Sequence, residues 1–352
     1  MFKRILVPLD GSRRAERALS VAARIARLAD STVVLLHVAG LGIEYGPYLA
    51  QGPSLLESVL EQDLETATAY LDSLLYNADL AGIRTETVVI PGVEAQTILT
   101  YARLSNIDLI VLSSRGYTGL KRWALGSVAH KIARYSSIPT LILREESPGQ
   151  LLAMEQQRPL QVVVALDGSP LAETVIAPAA MLIAAWSAPE SGVLHLTQVV
   201  KPAATDSDER RDNRGKLQDK LHTAVVREQA ACDAAVYLSR LSARLYTELA
   251  AKLGIIITWS VVAGDDVAHE LIKVTEQGQG AKVGECETAD LIAMTTHGRG
   301  GLERWMMGSV TERVLAGTKL PVLVMRPQIG QTTSKQPTVH EKSKEFVAAR
   351  RR

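Results

Sequence analysis

The feature that most constrains this chain is that it repeats itself. Leu9-Asp10-Gly11-Ser12 recurs as Leu166-Asp167-Gly168-Ser169, each behind a short β-branched run, Ile5 to Val7 and Val162 to Val164. Further along, Ser113 to Val128 (SSRGYTGLKRWALGSV) is echoed by Thr295 to Val310 (TTHGRGGLERWMMGSV), with eight of 16 positions identical. Unrelated segments would share about one, so the chain is a duplication. The spacing between matched residues grows from 157 at Asp10/Asp167, through 172 at Gly92/Gly264, to 182 at Gly116/Gly298, so the second copy is 25 residues longer over this stretch. The last ten enter around Gln277 to Glu285, where a surface loop is expected.

A length of 352 residues suits two domains, and 47% hydrophobic against 22% charged residues gives each half material for a core. We expect domains over 1–146 and 160–327, a linker over 147–159 and a flexible basic tail over 328–352. Lys plus Arg (39) against Asp plus Glu (38) leaves +1, which argues against a protein built around duplex nucleic acid. An aromatic content of 4% argues against stacking platforms for single strands. Cys232 and Cys286 are too few and too far apart for a disulfide scaffold or zinc ribbon, which suits a reducing cytoplasm. The longest apolar stretch, Val175 to Ala188, contains Pro178 and falls short of the roughly 20 residues of a membrane span. Asp10 interrupts the N-terminal apolar run too early for a signal peptide. The expectation is a cytoplasmic protein that engages neither membrane nor nucleic acid.

Each copy alternates short apolar strands with helical patterns. In the first, strands are expected at Ile5–Leu9, Val33–Val38, Arg84–Ile90, Leu109–Ser113 and Thr140–Leu143. Helices are expected at Ala15–Leu28, Ser54–Leu80, Ala95–Ser105 and Ser127–Tyr135. The second repeats the order, with strands at Val162–Leu166, Val193–Val199, Ile255–Val262, Leu291–Thr295 and Val322–Met325. Its helices are expected at Ala172–Ala185, Leu217–Leu253, Val267–Thr275 and Ser309–Ala316. Such alternation implies α/β architecture, a doubly wound open parallel sheet covered on both faces in each half. Thr205 to Arg214 reads as a solvated charged loop.

In open parallel sheets, ligands sit beyond the carboxyl ends of the strands where the strand order reverses. Both repeated motifs fall there. Asp10 and Asp167 end their strands, with an Asx-turn role and a ligand hydrogen-bond role as the two readings. Gly126-Ser127 and Gly308-Ser309 open helices, whose amides and dipole favour phosphate. Glycine there would permit close approach and positive φ, and Ser127 or Ser309 would cap the helix. No G-x-x-x-x-G-K-[ST] loop or G-x-S-x-G elbow occurs, and the seven histidines form no H-x-x-x-H or H-x-H pair, so no metal site is expected. Gly40-x-Gly42-x-x-x-Gly46 has the wrong spacing for a dinucleotide loop. Trp123 and Trp305 are expected to pack the loop between the motif glycines.

These residues resemble the universal stress protein family, present here as two tandem domains. The family's ATP-binding signature is Gly, two residues, Gly, nine residues, then Gly followed by Ser or Thr. The spacing is kept through Gly116 to Gly126-Ser127 and Gly298 to Gly308-Ser309, while the first glycine is replaced by Ser113 and Thr295. The resemblance implies a Rossmann-like α/β/α sandwich, with the two domains forming an intramolecular pseudo-dimer in which the last strands pair across the interface. It implies that Asp10 and Val38 hold the adenine side, with Pro8 and Leu9 contributing backbone. Ser113, Arg115 and Gly116 would then surround the ribose and first phosphates, and Gly126, Ser127 and Val128 the later ones. The matching positions of the second copy are Ala165, Leu166, Asp167, Val199, Thr295, His297, Gly298, Gly308, Ser309 and Val310.

The function implied is ATP binding, with magnesium carried on the phosphates, in stress response or regulation. The partners implied are an adenine nucleotide and either a second copy of the chain or another protein. Two alternatives stay open: a slow ATPase or self-phosphorylating protein with Ser127 or Ser309 as acceptor, and a scaffold of the same fold that binds no nucleotide. No catalytic residue is assigned.

Overall fold

The computed structural model describes residues 2–40, 53–114, 125–144, 159–187, 191–201, 213–278, 281–283, 288–297 and 307–327. The first half runs β1 (Arg4–Leu9), α1 (Arg13–Glu16), α2 (Ala18–Ala29), β2 (Thr32–Gly40), α3 (Pro53–Leu74), β3 (Thr85–Gly92), α4 (Glu94–Leu104), β4 (Leu109–Ser113), α5 (Ser127–Tyr135) and β5 (Thr140–Leu143). The second runs β6 (Gln161–Leu166), α6 (Pro170–Glu173), α7 (Ile176–Ser187), β7 (Val193–Val200), α8 (Asn213–Leu245), β8 (Ile256–Ala263), α9 (Val267–Gln277), β9 (Ala281–Val283), β10 (Leu291–Thr295), α10 (Ser309–Gly317) and β11 (Val322–Met325). The linker expected at 147–159 lies outside the described residues except Pro159, as do the tail from 328, Cys286, Gly42, Gly46 and 205–212 of the charged loop.

Four expectations are corrected. The first helix of each half is split, a single turn capped by Ser12 or Ser169 followed by the main helix. The helix expected to reach Leu80 stops at Leu74, because the Asn77 side chain caps a separate 3₁₀ turn over Ala78–Leu80. The helix expected from Leu217 already begins at Asn213 and runs on past Leu245 through a π turn at Tyr246–Ala250 to Leu253, where Gly254 closes it in the left-handed conformation. Within the insertion, Ala281–Val283 is not a loop but an edge strand, antiparallel to β8.

The strands form one sheet in the order β3-β2-β1-β4-β5-β11-β10-β6-β7-β8-β9. Pairing within each half is parallel apart from β9, and β5 meets β11 antiparallel, with Val322 opposite Ile142 and Val324 opposite Thr140. On one face, α2 and α7 bury Leu19 and Ile25 with Leu182 and Ile183 in a core continuous between the halves. There the Arg24 guanidinium lies 5.6 Å from the Trp186 ring and donates to the Trp186 carbonyl at 3.3 Å. The other face is covered by α4, α5, α9 and α10 through residues such as Ile98, Ile132, Leu271 and Val314. The stretch Pro170–Ser187 is apolar enough to cross a membrane by length and composition, but 56% of it is buried within the protein.

The strand starts are pinned alike in both halves. Asp108 accepts from the amides of Lys3 and Arg4 at 2.7 and 3.0 Å, and Asp290 from the amide of Gln161 at 2.7 Å. The interiors differ. Where β2 carries Val34 and Leu36, β7 carries His195 and Thr197, buried and bonded to β8: His195 Nδ1 lies 2.7 Å from Thr258 Oγ1 and Nε2 2.8 Å from Ser260 Oγ.

Burial pushes the His195 pKa down from 6.5 to about 4. The unfolded chain therefore takes up the proton first, so this residue's contribution is full above pH 6.5 and is lost as pH falls toward 4. Over that window the wild type should lose on the order of 3 kcal/mol more stability than His195→Val, measured by urea denaturation at a series of pH values. Equal pH slopes for the two proteins would refute this.

Candidate functional site

The repeated motifs converge where the strand order reverses. β1 lies between β2 and β4, and β6 between β7 and β10. The chain leaves these central strands through Asp10-Gly11 and Asp167-Gly168, both glycines at φ 80, where a β-carbon is disfavoured. Asp10 Oδ1 accepts from the Ser12 amide at 3.1 Å and its hydroxyl at 2.6 Å; Asp167 does the same with Ser169 at 2.9 and 2.6 Å. The serine oxygens in turn accept from the amides of Ala15 and Ala172, each at 3.2 Å. The Asx-turn reading of both aspartates is thus realised, and it holds each carboxylate at the mouth of the crevice.

The second motif is closed by backbone. Ser114 donates its amide to the Leu143 carbonyl at 2.8 Å, and Gly126 donates to the Ser114 carbonyl at 2.7 Å. Thr296 and Gly308 repeat this toward Met325 and Thr296, at 2.9 and 2.8 Å. Two expectations fail here. The helix N-caps are Gly126 and Gly308, without a side-chain cap, so Ser127 and Ser309 cap nothing. The glycines also have φ of −63 and −60, so they are not there for positive φ. At Gly308 the reason is space: a β-carbon would lie 2.9 Å from the Thr296 carbonyl oxygen.

The consequence is an uncapped helix start. Amides of the first turn have no intrahelical acceptor, which leaves those of Ser127, Val128 and Ala129, and of Ser309, Val310 and Thr311, aimed out of the helix end. Ser127 and Ser309 are exposed, while Val128 and Val310 pack against the core below. Val38 and Val199 pack against that same core from β2 and β7. Pro8, Leu9, Ala165 and Leu166 are the last residues of β1 and β6.

The hydroxyls of Ser113 and Thr295 are bonded within the protein, to the Arg14 carbonyl at 2.6 Å and the His297 carbonyl at 2.7 Å. His297 Nδ1 lies 2.8 Å from Thr296 Oγ1. Arg115, Gly116, Gly298, Trp123 and Trp305 lie outside the described residues.

A further polar group in each half escapes the motif-based reading. Tyr70 on α3 donates to Glu16 Oε1 at 3.1 Å, and Tyr237 on α8 to Glu173 Oε1 at 2.9 Å, while Arg244 donates to Glu173 Oε2 at 2.5 Å. Burial and these carboxylates raise both tyrosine pKa values, so the phenols stay donors. The signal was present in part: Glu16 and Glu173 keep the same 157-residue spacing as the aspartates.

The model of the universal stress protein family matches residues 1–144 and again 160–326. The chain belongs to this family. It is 31% identical over 153 residues to universal stress protein YxiE of Bacillus subtilis, covering 41% of this chain and all of that one. It is 26% identical over 340 residues to a universal stress protein of Mycolicibacterium smegmatis, covering 92% of this chain and 97% of the other. A universal stress protein structure from Archaeoglobus fulgidus superposes with a TM-score of 0.60 at 20% identity, over 92% of this chain and 98% of that one. Family membership places the chain among proteins of the stress response, with two such domains in tandem.

For this universal stress protein, Gly308→Ala should cost about 1–3 kcal/mol through the contact with the Thr296 carbonyl. Ser309→Ala, at an exposed position next to it, should stay within about 0.5 kcal/mol of wild type. Denaturant melts of the two variants check the pair, and a neutral Gly308→Ala would contradict the close-approach account.

Proposed function

We propose that this protein binds ATP at each crevice and acts in the stress response through the conformation or the partner that the bound nucleotide selects. The observation that carries the reading is the uncapped first turn of α5 and α10, repeated in both halves at the carboxyl ends of the central strands. Phosphate is the ligand such amides suit. The dipole supplies only about 0.3–1 kcal/mol, whereas micromolar binding needs about 8 kcal/mol. Several amide contacts and a base pocket must therefore combine. On this reading Asp10, Val38 and the Pro8-Leu9 backbone form the base side in the first half, and Asp167, Val199 and Ala165-Leu166 in the second. Gly126, Ser127 and Val128, with Gly308, Ser309 and Val310, form the phosphate side.

The test exploits a conflict between fold and ligand. An aspartate in the first turn favours the helix but repels phosphate. Ser127→Asp combined with Ser309→Asp should leave the thermal midpoint unchanged or raised while ATP affinity falls at least about tenfold, read by equilibrium dialysis. Native mass spectra of the wild type should count two nucleotides per chain. ATP retention unaffected by both substitutions, or a wild type that retains none, would overturn the reading.

A further inference from the structure

The joined sheet has two outer edges, and they are finished differently. At one end stands β9, three residues long, pairing antiparallel on β8 with Val283 opposite Val261. At the other stands β3, eight residues long, which pairs only with β2 among the described residues. The two positions correspond. His37 faces Val89 as Gln198 faces Val261, and the same two residues face Leu9 and Leu166 of the matched central strands. Val89 therefore stands where, in the second half, the inserted strand is seated. The first half lacks the insertion and supplies no such strand among the described residues.

Which backbone groups face outward follows from one bond. Val33 donates its amide to the Arg84 carbonyl at 2.8 Å, so in this parallel ladder Glu86, Val88 and Ile90 turn their backbone groups to β2. Thr85, Thr87 and Val89 turn theirs away from it. So does Pro91, which has no N–H to offer and is suited to an outer strand for that reason. On β8 the bond from the Ile256 amide to the Gly192 carbonyl likewise turns Val261 outward, where β9 meets it.

An edge of this kind is a template for another strand. A second copy of β3 can add antiparallel about a two-fold axis, and the sequence selects one register. With Thr87 facing its own copy, Thr85 faces the partner's Val89 and Val89 faces the partner's Thr85. Each of these pairs exchanges two backbone bonds, and Pro91 falls beyond the end of the ladder. Centring the axis on Glu86 would set two carboxylates directly opposite each other, which is unfavourable. Centring it on Val88 would set Pro91 against the partner's Thr85 and forfeit a bond. The Thr87 register avoids both faults, pairs β-branched side chains across the axis, and leaves Glu86 on Arg4 at 2.8 Å.

We propose that β3 is a homodimer surface, on which two copies of the chain pair antiparallel about Thr87 and join two 11-stranded sheets into one. A two-fold pairing closes on itself, covers the long edge of both copies and leaves only the three-residue β9 strands outermost. The chain joins its own halves by the same device, since β5 and β11 meet antiparallel.

Sedimentation velocity of the full chain over a range of concentrations tests this, and the wild type should show a concentration-dependent dimer. Thr87→Glu and Thr87→Lys each set like charges face to face across the axis. Each should weaken the dimer by about tenfold or more while the thermal midpoint stays near wild type. An equimolar mixture of the two should dimerise again, because opposite charges then meet. In a protein with Cys232→Ser and Cys286→Ser, Thr87→Cys should form a disulfide-linked dimer on mild oxidation. Bonded antiparallel pairs hold their Cα atoms about 5.5 Å apart, within disulfide range. Thr85→Cys in the same background faces the partner's Val89 and should not cross-link. A wild type that stays monomeric at every concentration would overturn the proposal. So would a dimer that the charged variants leave intact, or cross-linking through Thr85→Cys as ready as through Thr87→Cys. A charged mixture that stays monomeric, together with a Thr87→Cys protein that does not cross-link, would do the same.

Discussion

The antiparallel ladder between β5 and β11 sets the geometry of everything else. Both strands are only four residues long, and Leu141, Ile142, Val322 and Leu323 are wholly enclosed. Each would otherwise be an exposed edge of the sheet of its own half, which invites pairing with another chain. Joining them satisfies both edges at once and reverses the strand direction midway across the sheet. The carboxyl ends of β1 and β4 therefore point one way and those of β6 and β10 the other. The two crevices open at opposite ends of the sheet, each built from the residues of its own half.

Within each crevice the chemistry is that of the backbone. The bond from Gly126 to the Ser114 carbonyl, and its counterpart from Gly308 to Thr296, pull the start of a helix onto the end of a strand. That position brings the positive end of the helix dipole to the crevice. It also explains why a glycine stands at the cap of α10, where the Thr296 carbonyl leaves no room for a β-carbon. A serine or aspartate cap would bond the first-turn amides internally. A glycine leaves them available, so the sequence forgoes a stabilising cap at the two places where a ligand could supply one.

Much of this was legible in the sequence because duplication makes local chemistry visible. The paired Asp-Gly-Ser turns and Gly-Ser helix starts stand at matched spacing, and the parallel α/β architecture followed from the alternation of apolar runs with helical patterns. The errors have physical causes. Apolar periodicity carried α3 past Leu74 since it does not register that Asn77 offers a competing cap. The inserted strand β9 is three residues long and pairs at an edge, too short to show a period. Gly-Ser was read as serine capping because propensity alone cannot say which of two adjacent residues takes the cap.

The two copies have not diverged evenly, and the pattern says where the constraint lies. Midway along the sheet, Val34 and Leu36 of β2 and Val88 of β3 are matched by His195, Thr197 and Ser260, so an apolar layer in one half is a hydrogen-bonded one in the other. Such an exchange is tolerable only when every buried polar group finds a partner, and both His195 nitrogens do. At the carboxyl ends the comparison runs the other way. The turns keep the same residues, the same φ and nearly the same bond lengths. What the halves share is therefore the turn geometry at the carboxyl ends of the central strands, while the layer beneath it has been free to change.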